Sequence, residues 1–134
     1  MRQRIKEIAL SELGETWPRF GGPVETWCGA FVAWVIGQAG LRSPANGPTM
    51  GGELVSWLGP TTMPQVGDIA VHKRVDHYSI IVEIRGRRVR VVEGGAFDHV
   101  VRDRFKSWHE LKFYSIDRLL EEYEYTGASA GPLL

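Results

Sequence analysis

The run Trp27–Ala39, WCGAFVAWVIGQA, is apolar on most faces of a helix and stops at Gly40. A helix of that kind has no face to offer to water, so it must be buried nearly all round. The remainder of the chain has to supply its cover. With 134 residues there is room for one core and little more. The reading is a single domain over residues 1–125, followed by a small-residue tail, TGASAGPLL, over 126–134.

Residues 2–13 place Ile5, Ile8, Ala9 and Leu13 at helical spacing and end before Gly14. Residues 15–26, rich in Gly, Pro and Trp, read as an ordered loop. A turn-rich loop follows over Leu41–Pro48, and Met50–Leu58 reads as a short helix. The period then changes to that of strands. Strands are expected at Asp68–His72, His77–Ile84, Arg88–Glu93, Val100–Arg104 and Phe113–Ile116, with a short helix over Ile116–Tyr123. A tight Arg85-Gly86-Arg87 connection joins the second and third strands. Helices come first and strands follow, so the fold class is α+β with N-terminal helices packed on an antiparallel sheet.

Sixteen basic and sixteen acidic side chains cancel, which argues against a general nucleic-acid binder. One cysteine makes no internal disulfide and, without clustered thiols, no structural zinc site. Four histidines without HxH or HxxxH spacing argue against a metal centre, and no cofactor is expected. No window approaches the ~20 apolar residues that cross a bilayer. The first residues, MRQRIKEIALSELGE, lack the apolar core of an export signal, so synthesis in the cytoplasm without a signal peptide is expected.

Cys28 is the first candidate for chemistry. It opens the buried helix, where unpaired N–H groups and the helix dipole favour a thiolate. The bland alternative is a core-filling cysteine. A nucleophilic thiol needs a base, and the base an orienting group. His72, His77, His99 and His109 compete, with exposed loop histidine the default for His99 and His109. His77 opens a strand in which His77, Ser79, Ile81 and Glu83 share one face and Tyr78, Ile80, Val82 and Ile84 the other. A turn near residues 86 and 87 sets residue 77 against 95 or 96, making Glu93 a diagonal neighbour within reach of the imidazole. Glu93 would then hold the tautomer and stabilise the charged ring. Trp17, Trp27 and Trp34 are candidates for a groove wall, with Trp34 better read as core. Arg85, Arg87, Arg88, Arg90, Arg102 and Arg104 form a basic cluster, read either as a solvated hairpin tip or as an attractor of an anionic polymer.

The blocks WCGAFVAWVIGQAG, PQVGDIAVH, HYSIIVEI and VVEGG, in that order, resemble the CHAP and NlpC/P60 group of papain-like cysteine hydrolases. The resemblance covers about Trp17 to Gly95. It implies a papain-like fold with Cys28 as nucleophile, His77 as general base then acid, and Glu93 as the residue orienting His77, with Asp98 as Glu93's rival. It gives Gly67-Asp68 a structural task only. The implied activity is cleavage of an amide bond in peptidoglycan stem or cross-link peptides, by a protein of phage or prophage origin or a delivered effector. Such a protein would reach the wall through a holin, a virion or a secretion machine, with a phage tail or an immunity or carrier protein as partner. No nucleic-acid or membrane partner is expected. Two other readings stand beside it. One is a non-catalytic tail or baseplate component keeping the fold, to which the departures Tyr78-Ser79 and Gly95 point. The other is a cysteine hydrolase or transferase acting on protein amides.

Overall fold

The computed structural model describes residues 1–42, 50–95 and 97–126 of the chain. Helix α1 spans Arg2–Ser11, α2 Trp27–Gln38, α3 Met50–Leu58 and α4 Asp117–Thr126. The strands are β1 (Pro60–Thr61), β2 (Ile69–His72), β3 (Tyr78–Arg85), β4 (Arg88–Gly94), β5 (Val101–Ser107) and β6 (Leu111–Tyr114). They form one antiparallel sheet in the order β1-β6-β2-β3-β4-β5. The fold is α+β, with helices packed on one face of that sheet.

The apolar run behaves as its composition dictates. Phe31, Val32, Val35 and Ile36 of α2 are fully buried, and α1 adds Ile5 and Ala9 to the same core. From the sheet, Ile69, Ile80, Val82 and Val92 face these helices. A second, smaller cluster lies on the sheet's other face, where Ala70, Ile81, Val89, Val91, Leu111 and Phe113 meet. Strands β2, β3 and β4 thus have two buried faces over part of their length, which is why their residues read as nearly continuous hydrophobic runs.

Local chemistry accounts for most boundaries. In the β3–β4 hairpin Arg85 pairs with Arg88, leaving Gly86-Arg87 as a two-residue turn. Gly86 takes φ +56°, the hand that matches strand twist. Buried Asp68 accepts from the N–H groups of Gln65 at 2.8 Å and Ile116 at 3.0 Å, and pairs with Arg2 at 2.8 Å. Arg2 also holds Asp117 at 2.7 Å, so this one cation ties α1 to the entry of β2 and the start of α4.

Several expectations are corrected. The last strand lies two residues earlier than Phe113–Ile116, because Ile116 donates to Asp68 and the chain turns there into α4. The fifth strand runs on to Ser107, paired along its whole length with β4. The short edge strand β1 was not expected. The alternation along β3 holds to Val82 and then breaks, since a register shift between Ile81 and Glu83 moves Ile84 into the cluster with Ile81. The loop expected over 41–48 and the tail over 126–134 lie mostly outside the described residues.

Candidate active site

Cys28 is the second residue of α2, and its N–H has no carbonyl one turn earlier within the helix. A 3-10 turn over Val24–Thr26 leads the chain into it. The side chain is buried, with 8% of the residue exposed, and Sγ lies 4.0 Å from the Asp76 carbonyl oxygen. His77 immediately precedes β3, its N–H donating to Val75 at 2.8 Å and its carbonyl accepting from His72 at 3.1 Å. Ser79 pairs with Glu93 across the ladder, so Glu93 reaches His77 diagonally and accepts a hydrogen bond from its Nε2. That leaves Nδ1 as the ring nitrogen for the thiol.

Glu93 is 2% exposed, a burial that a carboxylate tolerates only with partners. It has three. Besides His77, Lys106 Nζ lies 3.2 Å from Oε2 and Arg104 Nε 3.3 Å from Oε1, both reaching over from β5. Cys28, His77 and Glu93 each shift the others. Burial pushes His77 down, but hydrogen bonds to Cys28 and Glu93 and their negative charges outweigh it and raise the imidazole to about 9. Burial likewise pushes the Cys28 thiol up. The hydrogen bond and charge of His77, with the N–H groups of Tyr78 and Gly29, reverse this and hold it below its ordinary value. Glu93 is pulled below the usual carboxylate range, its burial outweighed by His77 and Lys106. These directions favour a thiolate beside an imidazolium, anchored by a carboxylate, over a neutral thiol–imidazole pair.

Two open spaces meet at Cys28. The larger, about 620 Å³, is walled by Trp27, His77, Glu93, Gly94, Phe97 and His99 among others. The smaller, about 300 Å³, is bounded by Gly29, Gly51, Gly52 and Tyr78. Cys28 and Asp76 line both. Gly29 and Gly51 are required by close approach. A Cβ on Gly29 would stand 2.8 Å from the Gly51 nitrogen, and one on Gly51 2.6 Å from the Tyr78 ring. On the other side a Cβ on Gly94 would meet the Trp27 ring at 2.7 Å, and Trp27 Nε1 donates to the Gly95 carbonyl at 3.2 Å.

Cys28, His77 and Glu93 are therefore brought together. Asp98 is not: it pairs with Arg102 and caps the Val100 N–H at 3.3 Å. His72 lines the larger cleft, where its Nδ1 accepts from the Arg74 N–H at 3.2 Å, while His109 sits in a 3-10 turn away from the thiol. Of the tryptophans, Trp27 walls the cleft, and Trp34 packs against Phe20 with Arg19 over its ring, outside it. Trp17 stands behind His99, their rings edge to face at 6.5 Å. His99, expected as an exposed loop histidine, is half-buried in the cleft wall. Its place depends on loop 14–17 meeting the start of β5, a contact without a local sequence signal. Four of the six clustered arginines are paired, Arg85 with Glu83, Arg90 with Asp103, Arg102 with Asp98 and Arg104 with Glu93. Among the described residues no helix is long and apolar enough to cross a membrane, and no group of His, Cys, Asp and Glu forms a metal cluster.

No protein-family model and no curated protein matches the chain.

Proposed function

We propose that the protein is a papain-like cysteine hydrolase that cleaves an amide bond in peptidoglycan peptides. The observation that carries the chemistry is the line Cys28–His77–Glu93, set at the junction of two open clefts. A thiolate at the meeting point of two spaces has room for substrate on either side of a scissile bond. The choice of peptidoglycan rests on the resemblance of the sequence blocks.

The Cys28 thiolate attacks the amide carbonyl carbon, and the carbonyl π pair moves onto oxygen. The N–H of Cys28 at the start of α2 is placed to donate to that oxygen. His77 gives its Nδ1 proton to the departing nitrogen as the C–N bond breaks, leaving a thioester. The neutral imidazole then takes a proton from water, whose oxygen attacks the thioester. The carboxylic acid leaves and the thiolate–imidazolium pair is restored. Throughout, Glu93 accepts from Nε2 and holds the ring with Nδ1 toward sulfur.

The sequence departures that favour a non-catalytic relative are absorbed locally. Tyr78 packs on Gly51, Ser79 Oγ donates to the Ala70 carbonyl at 3.2 Å, and the Gly95 N–H donates to Val100 at 2.9 Å. None of these contacts displaces His77 or Glu93. The test is digestion of purified peptidoglycan by the wild type and by Cys28→Ala, with released fragments identified by mass spectrometry. Fragments from the wild type that vanish in the variant are expected, and they name the bond. No release from several wall types, with Cys28 inert to alkylation at neutral pH, would return the protein to the non-catalytic reading. Cleavage of all-L peptides in place of wall peptides would make it a hydrolase of protein amides.

A further inference from the structure

Seven glycines among the described residues take positive φ, as L residues rarely do. One other described residue does so, and it is His99, at φ +58°. Position 99 lies in the connection between β4 and β5, a place where hairpins favour Gly or Asn in the left-handed region. The conformation is imposed from outside. The Trp17 N–H donates to the His99 carbonyl at 2.9 Å, Thr16 bridges Val100, and Val101 exchanges hydrogen bonds with Gly14 and Glu15 at 3.0 and 2.9 Å. A strained residue held in place at a cleft points to a use for its side chain.

The ring's surroundings indicate what that use is. Nδ1 is buried without a hydrogen-bond partner among the described residues. An unpaired lone pair is cheaper to bury than an unpaired N–H, so the proton belongs on Nε2. Nε2 is not among the buried unpartnered atoms, and no described residue bonds to it, while His99 lines the larger cleft. The imidazole therefore offers one N–H donor to whatever occupies that space. Its back is fixed by the edge of Trp17.

We propose that His99 is a substrate-binding residue, donating through Nε2–H to an acceptor oxygen on the peptide part of the substrate, away from the scissile amide. This rests on the hydrolase reading above. The left-handed backbone is the cost of placing a donor where glycine would fit without strain.

The test compares wild type, His99→Gly and His99→Asn, using soluble peptidoglycan fragments as substrate. Glycine removes both the ring and the strain. His99→Gly should therefore melt a few degrees higher, while its kcat/KM falls about tenfold through KM. Its rate of Cys28 alkylation by iodoacetamide should equal the wild type's. Asparagine tolerates positive φ and keeps a side-chain N–H, so His99→Asn should recover part of the loss. Unchanged kcat/KM in His99→Gly, a lowered melting temperature, or a parallel fall in alkylation rate would each overturn the proposal. A wild type that releases no fragments, or a Cys28→Ala variant as active as wild type, would overturn the hydrolase reading and this inference with it.

Discussion

The two ends of the β3–β4 hairpin both carry charge, and they treat it in opposite ways. At the turn end, Glu83 pairs with Arg85, and Arg90 pairs with Asp103 at 2.8 Å, with the Arg85 side chain 67% exposed. Water and salt screen such pairs, and each contributes about 0.5 kcal/mol or less. At the open end Glu93 is 2% exposed, where an unpaired carboxylate would cost several kcal/mol. Three groups, His77, Lys106 and Arg104, converge on it instead. The abundant charge of the arginine-rich tip is therefore thermodynamically quiet, and the buried acid at the open end gathers the partners that hold His77.

The contrast is broken most severely at the open end. Glu93→Gln removes the acceptor charge and leaves Lys106 and Arg104 facing a neutral group. Fragment release from peptidoglycan should fall about 10²- to 10⁴-fold, and denaturant unfolding should show a loss of about 2–4 kcal/mol. The pH dependence should change too. With His77 raised to about 9 from 6.5, its stabilising contribution is complete below 6.5 and lost as pH rises through about 9. Cys28 and Glu93 run the other way: their contributions are present above their ordinary values and lost as pH falls through the lowered folded ones. Glu93→Gln removes the charge of one of the two groups that raise His77, so its stability should decline at lower pH on the alkaline side. Arg85→Ala, at the turn end, should change unfolding free energy by no more than about 0.5 kcal/mol. It should leave fragment release at low salt unaltered; a large loss there would make the tip an attractor for the anionic wall.

What was legible in the sequence follows from the range of the forces involved. The burial of α2 was written in its composition, and the approach of Glu93 to His77 in a two-residue turn and the strand period of two. The register shift after Ile81 was not, since it answers to packing on both faces of β3. Nor was β1, whose two residues pair only because β6 arrives from far along the chain. The rivalry between Glu93 and Asp98 could not be resolved by spacing, because Asp98 is claimed by Arg102 through the shape of a loop. His99 escaped for the same reason: loop 14–17 places it, and no local pattern announces that contact.

On the proposed reading Cys28 is a thiolate at neutral pH, made so by an imidazolium that Glu93 anchors. This reading is tested most directly by the rate of Cys28 alkylation with iodoacetamide across about pH 5 to 10, measured by mass spectrometry on wild type and Glu93→Gln. The wild type should react rapidly at neutral pH, slow only on acidification, and show a second break near 9 as the imidazolium loses its proton. Glu93→Gln should move that break downward. A single rise in rate centred near 9.0, the ordinary thiol value, and identical in both proteins would contradict the account.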